Sequence, residues 1–543
     1  MKKKMLLISA ALLLVACGGT GGGTSSSQTP GVTPSSQPAV DNTHIEGSKG
    51  LQYTLSDDET YYILTGLGSC KDDEVIIGNW YNGKPVLEVG EAALSTEEGQ
   101  WGPKIIRVSE GITTIGFRGL RSRTVEYIYL PESVTTLTKA TFILDRSLKS
   151  VVIGSKVTKI EDDVFMECPV QDIYFRGSRE DWNKIEFSDS NNSSMWNAEV
   201  HFDYKDGERI DGVVEGSKGL QYTLSDDETY YTLTGLGTCT DDNVVVGNYY
   251  NNLPVLEIGE AALSTEEGQW GPKSITVSRG ITTLGFRGLR SRTVEYVYLP
   301  NTITTLTKAT FILDRSLKAV VLPATLTKME DDVFMECPVK DIYFKGTRAE
   351  WDKVEKSLNN NTTLFDAAFH YGYRNGQPID GVVKGSEGLT YTISDDESSY
   401  AFSALGTCAD KDIVIGNYYN NLPVTDIASM AISAQETDIN SIKVSKGITN
   451  IGFAAIAAWK VKEIDMPSGI TEYAKAQFIH CESIETVYIG HGLTKIDEDC
   501  FFHCDSTLKD IYFRGTQAEW EAIEILPTNN NLANVTIHYN YIG

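Results

Sequence analysis

The chain has 543 residues, 41% of them hydrophobic and 22% charged, a composition that excludes global disorder and supplies enough apolar material for several cores. Its formal net charge of -27 excludes general adhesion to nucleic acid or to anionic lipid through a basic surface.

The chain opens "MKKKMLLISAALLLVACGG". The apolar run at 5–16 is too short to cross a bilayer, and three lysines flank it on the N-terminal side, so residues 1–16 read as a cleaved secretion signal. The order of apolar run, small residue and cysteine resembles a bacterial lipoprotein signal. That resemblance implies that Cys17 becomes a diacylated N-terminus and that the protein is held outside the cytoplasm on a bacterial membrane, at the cell surface. Residues 18–45, almost without large apolar side chains, cannot fold, and with Cys17 they form a flexible Gly/Ser/Thr/Pro tether spanning about 30 Å.

Beyond the tether the chain repeats itself. Gly47, Gly216 and Gly385, Cys70, Cys239 and Cys408, and Trp182, Trp351 and Trp520 each recur at intervals of 169 residues. This divides the remainder into blocks 46–211, 212–380 and 381–543. The first two are nearly identical over long runs, including "GEAALSTEEGQWGPK" at 90–104 and 259–273, and the third is diverged. Inside block 1 a shorter motif starts at Val89, Ile115, Leu137 and Ile160, with steps of 26, 22 and 23; in block 3 it starts at Ile427, Ile451, Tyr473 and Ile496, with steps of 24, 22 and 23. Short runs such as "IIRV", "YIYL" and "VVI" precede the later copies and predict strands. A unit of this length cannot bury its own apolar face, so the pattern predicts a solenoid of stacked coils.

Each block closes on "DIYFRGSREDWNKI" or a variant of it. "DIYF" predicts a last strand. Thr347 with Glu350 and Thr516 with Glu519 have capping-box spacing, with Ser178 and Asp181 as a weaker version, and predict a helix that carries Trp182, Trp351 or Trp520. An asparagine-rich loop and a strand, "IHYNY" in block 3, follow. The motif reads as a C-terminal cap over an otherwise exposed solenoid end, so three caps predict three separately closed modules.

The units "LPESVTTLTKATFILDRSLKSV" and "MPSGITEYAKAQFIHCESIETV", with openings such as "LGTCADKDIVIGNYYNNLPVTDIASMAI", resemble the BspA-type leucine-rich repeats of bacterial surface proteins. The resemblance covers nearly everything after the tether. It implies an α+β repeat solenoid of three tandem leucine-rich-repeat modules, each with short strands, coil or helical turns and a helix–strand cap. The sequence departs from the pattern at Gly154, Gly247 and Gly490, where proline is commoner, and at "GLRSR", which replaces "AFxxC".

Candidate chemistry is sparse. Cys168, Cys337, Cys481 and Cys504 each follow a Phe by three residues, inside the coil, and read as buried free thiols, with Cys481 and Cys504 the best candidates for a bridge. His480 and His503 occupy equivalent places in adjacent coils, where block 1 has Leu144 and Glu167. Two ligands do not make a metal site, and no metal and no cofactor are expected. The repeated "SDDE" at Ser56, Ser225 and Ser394 lacks calcium-loop spacing and reads as a solvated turn. No nucleophile elbow, zinc-protease helix or phosphate loop occurs, so no enzyme is expected. The surface candidates are Trp101 with Arg118, Arg121 and Arg123, and their copies Trp270 with Arg287, Arg290 and Arg292. Trp and Arg dominate binding surfaces, and basic islands on an acidic protein select acidic partners; the bland alternative is local packing and neutralisation of nearby glutamates.

The expected function is that of a lipid-anchored binding or adhesion protein for a host or surface protein or glycan. BspA-type proteins are associated with attachment to host matrix and to other cells. The alternative is a structural spacer of the envelope without a specific ligand.

Overall fold

The structure, a computed structural model, describes residues 44–543 apart from 98, 189, 267, 435–437, 505 and 506. The signal segment, Cys17 and the tether up to residue 43 therefore lie outside the described residues. Ile45–Gly543 forms one compact unit.

Block 1 is built from β1 (Gln52–Leu55), β2 (Tyr62–Gly66), β3 (Glu74–Ile77), β4 (Trp80–Tyr81), β5 (Lys84–Val89), β6 (Ile105–Val108), β7 (Thr114–Ile115), β8 (Tyr127–Tyr129), β9 (Thr136–Leu137), β10 (Ser150–Ile153), β11 (Lys159–Ile160), β12 (Asp172–Phe175), α1 (Arg179–Trp182), β13 (Glu186–Phe187), α2 (Ser193–Asn197) and β14 (Glu199–His201). One strand from each coil joins a six-stranded parallel sheet in the order β3-β6-β8-β10-β12-β14. Val75, Ile106, Ile128, Val151 and Ile173 stand opposite one another across it, all fully buried. Alternation along each strand sends one apolar row inward, and stacking makes those rows a continuous core, each aliphatic side chain contributing about 1.5–3 kcal/mol by leaving water. On the other side of the coil β9, β11 and β13 pair in parallel, with Leu137, Ile160 and Phe187 in register. The four motif starts of block 1, at Val89, Ile115, Leu137 and Ile160, are all fully buried.

Blocks 2 and 3 repeat the main sheets, block 3 adding a parallel pair, Ile432–Ala434 with Ile456–Ala458, and the described residues hold three such six-stranded sheets and three large hydrophobic cores, the second of which takes in Ile542 of block 3. The predicted helical component amounts to little: among the described residues the α-helices have four or five residues each, and the coils turn by tight corners rather than helices. Many corners use left-handed backbone, as at Ala140, Leu144, Asp163 and Glu167, which explains how non-glycine residues sustain so tight a winding.

The caps form as the spacing predicted. Ser178, Thr347 and Thr516 each accept from the backbone of the acid three residues on, and Asp181, Glu350 and Glu519 each accept from the cap backbone in return. Trp182, Trp351 and Trp520 are buried beneath. Gly247, where proline is commoner, has a steric reason: a Cβ there would stand 2.2 Å from the Gly216 amide nitrogen, because the segment that opens the block passes directly over the first coil. Gly78 and Gly416 do the same in the other blocks.

Successive blocks pack on each other. Arg279 of block 2 pairs with Asp172 of block 1 at 2.5 Å, and Asn301 Nδ2 donates to the Asn197 carbonyl. At the next junction Arg348 pairs with Glu463 and Asp465, and Trp351 Nε1 donates to the Ile542 carbonyl at 2.6 Å.

Candidate functional site

The loop "STEEGQWGP" leaves the coil after Leu94 because it has no apolar residue to keep it in the core before Trp101. Two hydrogen bonds fix it: the Arg123 amide donates to Thr96 Oγ1 at 3.1 Å, and Thr124 Oγ1 donates to the Pro103 carbonyl at 3.0 Å. The same bonds recur in block 2, from Arg292 to Thr265 and from Thr293 to Pro272. Trp101 is half-buried, with Lys71 Nζ 4.4 Å above its ring. Block 2 has Thr240 in place of Lys71, and Trp270 is 43% exposed.

The six arginines divide by position in the coil. Arg118 and Arg287 sit on an exposed left-handed corner, each with φ 57°, and lie over the rings of Phe117 and Phe286 at 4.7 and 4.8 Å. Those rings are themselves exposed, giving an outward cation–aromatic pair in each block. Arg121 and Arg290 are buried and turn toward Glu97 and Glu266, at 3.6 and 3.3 Å. Arg123 reaches the same Glu97 at 4.0 Å, and Arg292, like Arg123, is half-buried. The structure thus brings Arg121 and Arg123 together on a glutamate beside the loop and leaves Arg118 on a separate corner.

Beneath the buried arginines runs a polar ladder that the sequence reading missed: Thr96, Ser122, Asp145 and Cys168 in block 1, and Thr265, Ser291, Asp314 and Cys337 in block 2, all buried. Burial pushes the carboxyls of Asp145 and Asp314 up to about 9, against the opposing pull of nearby backbone amides and of Arg121 and Arg290. Burial also lifts the Cys168 and Cys337 thiols far above their ordinary range, which removes them as thiolate nucleophiles. Block 3 has Cys481 where the others have Asp145 and Asp314, so the visible signal was "ILDRSL" against "IHCESI". No disulfide joins the described cysteines, and Cys481 and Cys504 send their thiols to the carbonyls of Ile456 and Phe478 in the preceding coil.

The "SDDE" segments are turns. Ser56 Oγ donates to Asp58 at 2.7 Å and the Thr60 amide to the same carboxylate at 3.1 Å, with the same pattern at Ser225 and Ser394. A second missed feature is a tyrosine cluster near the opening of each block: Tyr81 stacks on Tyr53 at 4.2 Å and meets Tyr62 edge-on at 5.0 Å, and Tyr250 and Tyr419 do the same with Tyr222 and Tyr231, and with Tyr391 and Tyr400. Its signal is the thrice-written "YNG" or "YNN" hairpin.

With coils, parallel ladders and caps in place, residues 102–194, 257–363 and 418–525 match the BspA type leucine rich repeat region, in six copies. The chain belongs to the BspA-type leucine-rich-repeat family. Among solved structures, this BspA-type chain is similar to a leucine rich cell surface protein of Faecalibacterium prausnitzii (16% identity, 89% of this chain and 98% of that one, TM-score 0.18). It is similar also to a leucine-rich repeat protein of Bacteroides ovatus (14%, 92% and 99%, TM-score 0.24) and to the pneumococcal vaccine antigen PcpA (12%, 92% and 99%, TM-score 0.21). No curated protein matches its sequence. Among the described residues no helix is long and apolar enough to cross a membrane.

Proposed function

We propose that this BspA-type protein is a lipid-anchored binding or adhesion protein of a bacterial surface, built of three separately closed modules, whose first two blocks carry the same site for an acidic protein or glycan. One observation carries the reading. The exposed Phe117–Arg118 corner and the Trp101 loop recur as Phe286–Arg287 and the Trp270 loop, whereas block 3 puts Ala454 in the place of Arg118 and Arg287. Exposed aromatic–cation pairs on an otherwise acidic chain are suited to partners with anionic and apolar groups side by side. Two copies on one chain raise avidity by factors of about 100–10,000 over one, provided the ligand spans them. Arg121, Arg123 and Arg290 then act as support: they hold Glu97 and Glu266, and with them the loops that bear the tryptophans, while Arg292 ties its loop through its amide to Thr265.

The test is binding of the purified protein to arrayed matrix proteins and acidic glycans. Trp101→Ala with Arg118→Ala, and Trp270→Ala with Arg287→Ala, are each expected to lower retention at least tenfold, and the fourfold variant to abolish it. Unchanged retention in a folded fourfold variant would move the site elsewhere on the solenoid. No binding by the parent protein to any probe would favour a structural spacer.

A further inference from the structure

His480 and His503 occupy the same left-handed corner in adjacent coils, with φ 61° and 65°, and the His480 amide donates to the Phe502 carbonyl at 3.1 Å, fixing the two corners side by side. Their Nδ1 atoms stand 2.9 Å apart. Two imidazole lone pairs cannot face each other at that separation unless something positive lies between them, either a single proton or a metal ion. The sequence offered two ligands. The coil supplies a third, because Glu482 Oε1 lies 3.8 Å from His480 Nδ1, and ligand atoms of all three residues fall within 4.8 Å of one another.

The equivalent corner in the other blocks does a different job. There Arg146 pairs with Glu167, and Arg315 with Glu336, at 2.9 Å between coils, and Leu144 and Leu313 hold the place of His480. Block 3 exchanges all three residues at once, replacing the arginine with a carboxylate and the leucine and glutamate with imidazoles. A cation of the protein is removed and three donors to a cation appear. The rings are held: Phe502 stacks on His503 at 4.0 Å, and Trp459 lies 5.6 Å from His480.

We propose that His480, Glu482 and His503 form a site for a divalent transition-metal ion on block 3. Two imidazoles and a carboxylate suit late first-row ions. Two nitrogens 2.9 Å apart subtend roughly a right angle at an ion about 2.1 Å from each, which fits the tetragonal geometry of Cu(II) or Ni(II) better than tetrahedral Zn(II). The half-exposed position leaves the remaining coordination sites to water or to a donor from a partner. Among the described residues one other cluster offers three donors, Asp172 with Glu199 and His201, and its aspartate is already engaged by Arg279 at 2.5 Å.

The test is calorimetric titration of the untagged protein with NiCl2 and with CuCl2. One ion per chain is expected, with a Cu(II) paramagnetic resonance spectrum of tetragonal type showing nitrogen coupling. His480→Ala and His503→Ala should each weaken binding at least tenfold, Glu482→Gln several-fold, and His201→Ala not at all. Because the corner is exposed, these variants are expected to keep the parent circular dichroism. Grafting the donors into block 1 as Leu144→His, Arg146→Glu and Glu167→His should give two ions per chain. Absence of stoichiometric binding, binding unchanged in the His480→Ala/His503→Ala variant, or a folded graft that still takes one ion would each overturn the assignment.

Discussion

Arg179 and Arg348 hold the same position, the first residue of the cap helix, and both reach into the block that follows. Arg179 lies 5.5 Å from the ring of Tyr298 and 4.8 Å from that of Phe202. Arg348 meets Glu463 at 2.8 Å and Asp465, which accepts also from Arg514 at 2.8 Å. Block 2 has Tyr296 and Tyr298 where block 3 has Glu463 and Asp465. The ion pair of the first junction lies elsewhere, between Arg279 and Asp172; at the second, Lys446 in place of Arg279 donates to the carbonyls of Asp366 and Lys340. Both arginines thus lie over aromatic rings, Arg348 over Tyr488 at 4.2 Å and Tyr371 at 5.4 Å, but only Arg348 also joins a network of carboxylates, while the first junction places its ion pair on the buried Asp172 instead. Backbone shape fixes how the blocks meet, and the polar chemistry between them is free to change.

If the second junction rests on that network, Arg348→Ala leaves Glu463 without its guanidinium and Asp465 with Arg514 alone, and should cost about 3 kcal/mol there, whereas Arg179→Ala forfeits a cation–aromatic contact of about 0.5–2 kcal/mol. Hydrogen exchange in strands 463–465 and 296–298 reads the two junctions separately, and comparable protection losses would erase the distinction. The network also predicts an acid dependence. Against the cost of burial, the Arg514 and Arg348 guanidiniums hold Asp465 well below the usual carboxylate range. A carboxyl depressed in the folded state stabilises it above the unfolded pKa of about 4 and loses that contribution as pH falls through the folded value, here on the order of 2–3 kcal/mol. Exchange at 463–465 should therefore accelerate below about pH 4 in the parent and much less in Asp465→Asn; an equal acceleration in both would assign the acid sensitivity to other carboxylates.

A second contrast separates the first two blocks from the third. Asp145 and Asp314 are buried carboxyls raised to about 9, in the ladder position that Cys481 fills in block 3. A carboxyl raised on folding gives stability that is fully present below its unfolded pKa and declines as pH rises toward the folded one. Asp145→Asn and Asp314→Asn should thus be distinctly more stabilising for blocks 1 and 2 near pH 8 than near pH 4, in thermal melts at the two values. A gain of equal size at both would mean that the aspartates are ionised in the fold.

What the sequence disclosed follows the range of the forces involved. Coil starts, strands and caps were readable because alternation and the three-residue spacing of Thr347 and Glu350 are local. The burial of Arg121 was not, because "GLRSR" reads as an exposed basic run until the coil turns it over the Thr96–Ser122 ladder. Nor was the Arg348–Asp465 pair, 117 residues apart, which depends on block packing that no repeat spacing encodes. His480 and His503 were placed together correctly from the repeat; Glu482 as a third donor required knowing which way the corner directs it.

The smallest expected effect bears on how a local signal supports a distant contact. Thr347 caps the four-residue helix that begins with Arg348, whereas Thr516 caps the corresponding helix of block 3, whose first residue, Gln517, bonds Glu521 in its own helix at 2.8 Å. Loss of either cap should cost about 1 kcal/mol. Thr347→Ala carries a further consequence, since an uncapped turn no longer aims the guanidinium at Glu463 and Asp465. The two positions are adjacent and share a target, so Thr347→Ala and Arg348→Ala should fall short of additivity by about 0.5 kcal/mol or more in a double-mutant cycle read at strand 463–465. Thr516→Ala combined with Arg348→Ala should add. Additivity in both cycles would show that the backbone of block 2 orients Arg348 without help from its cap, and that the junction is set by how the blocks stack rather than by the helix that bears its charge.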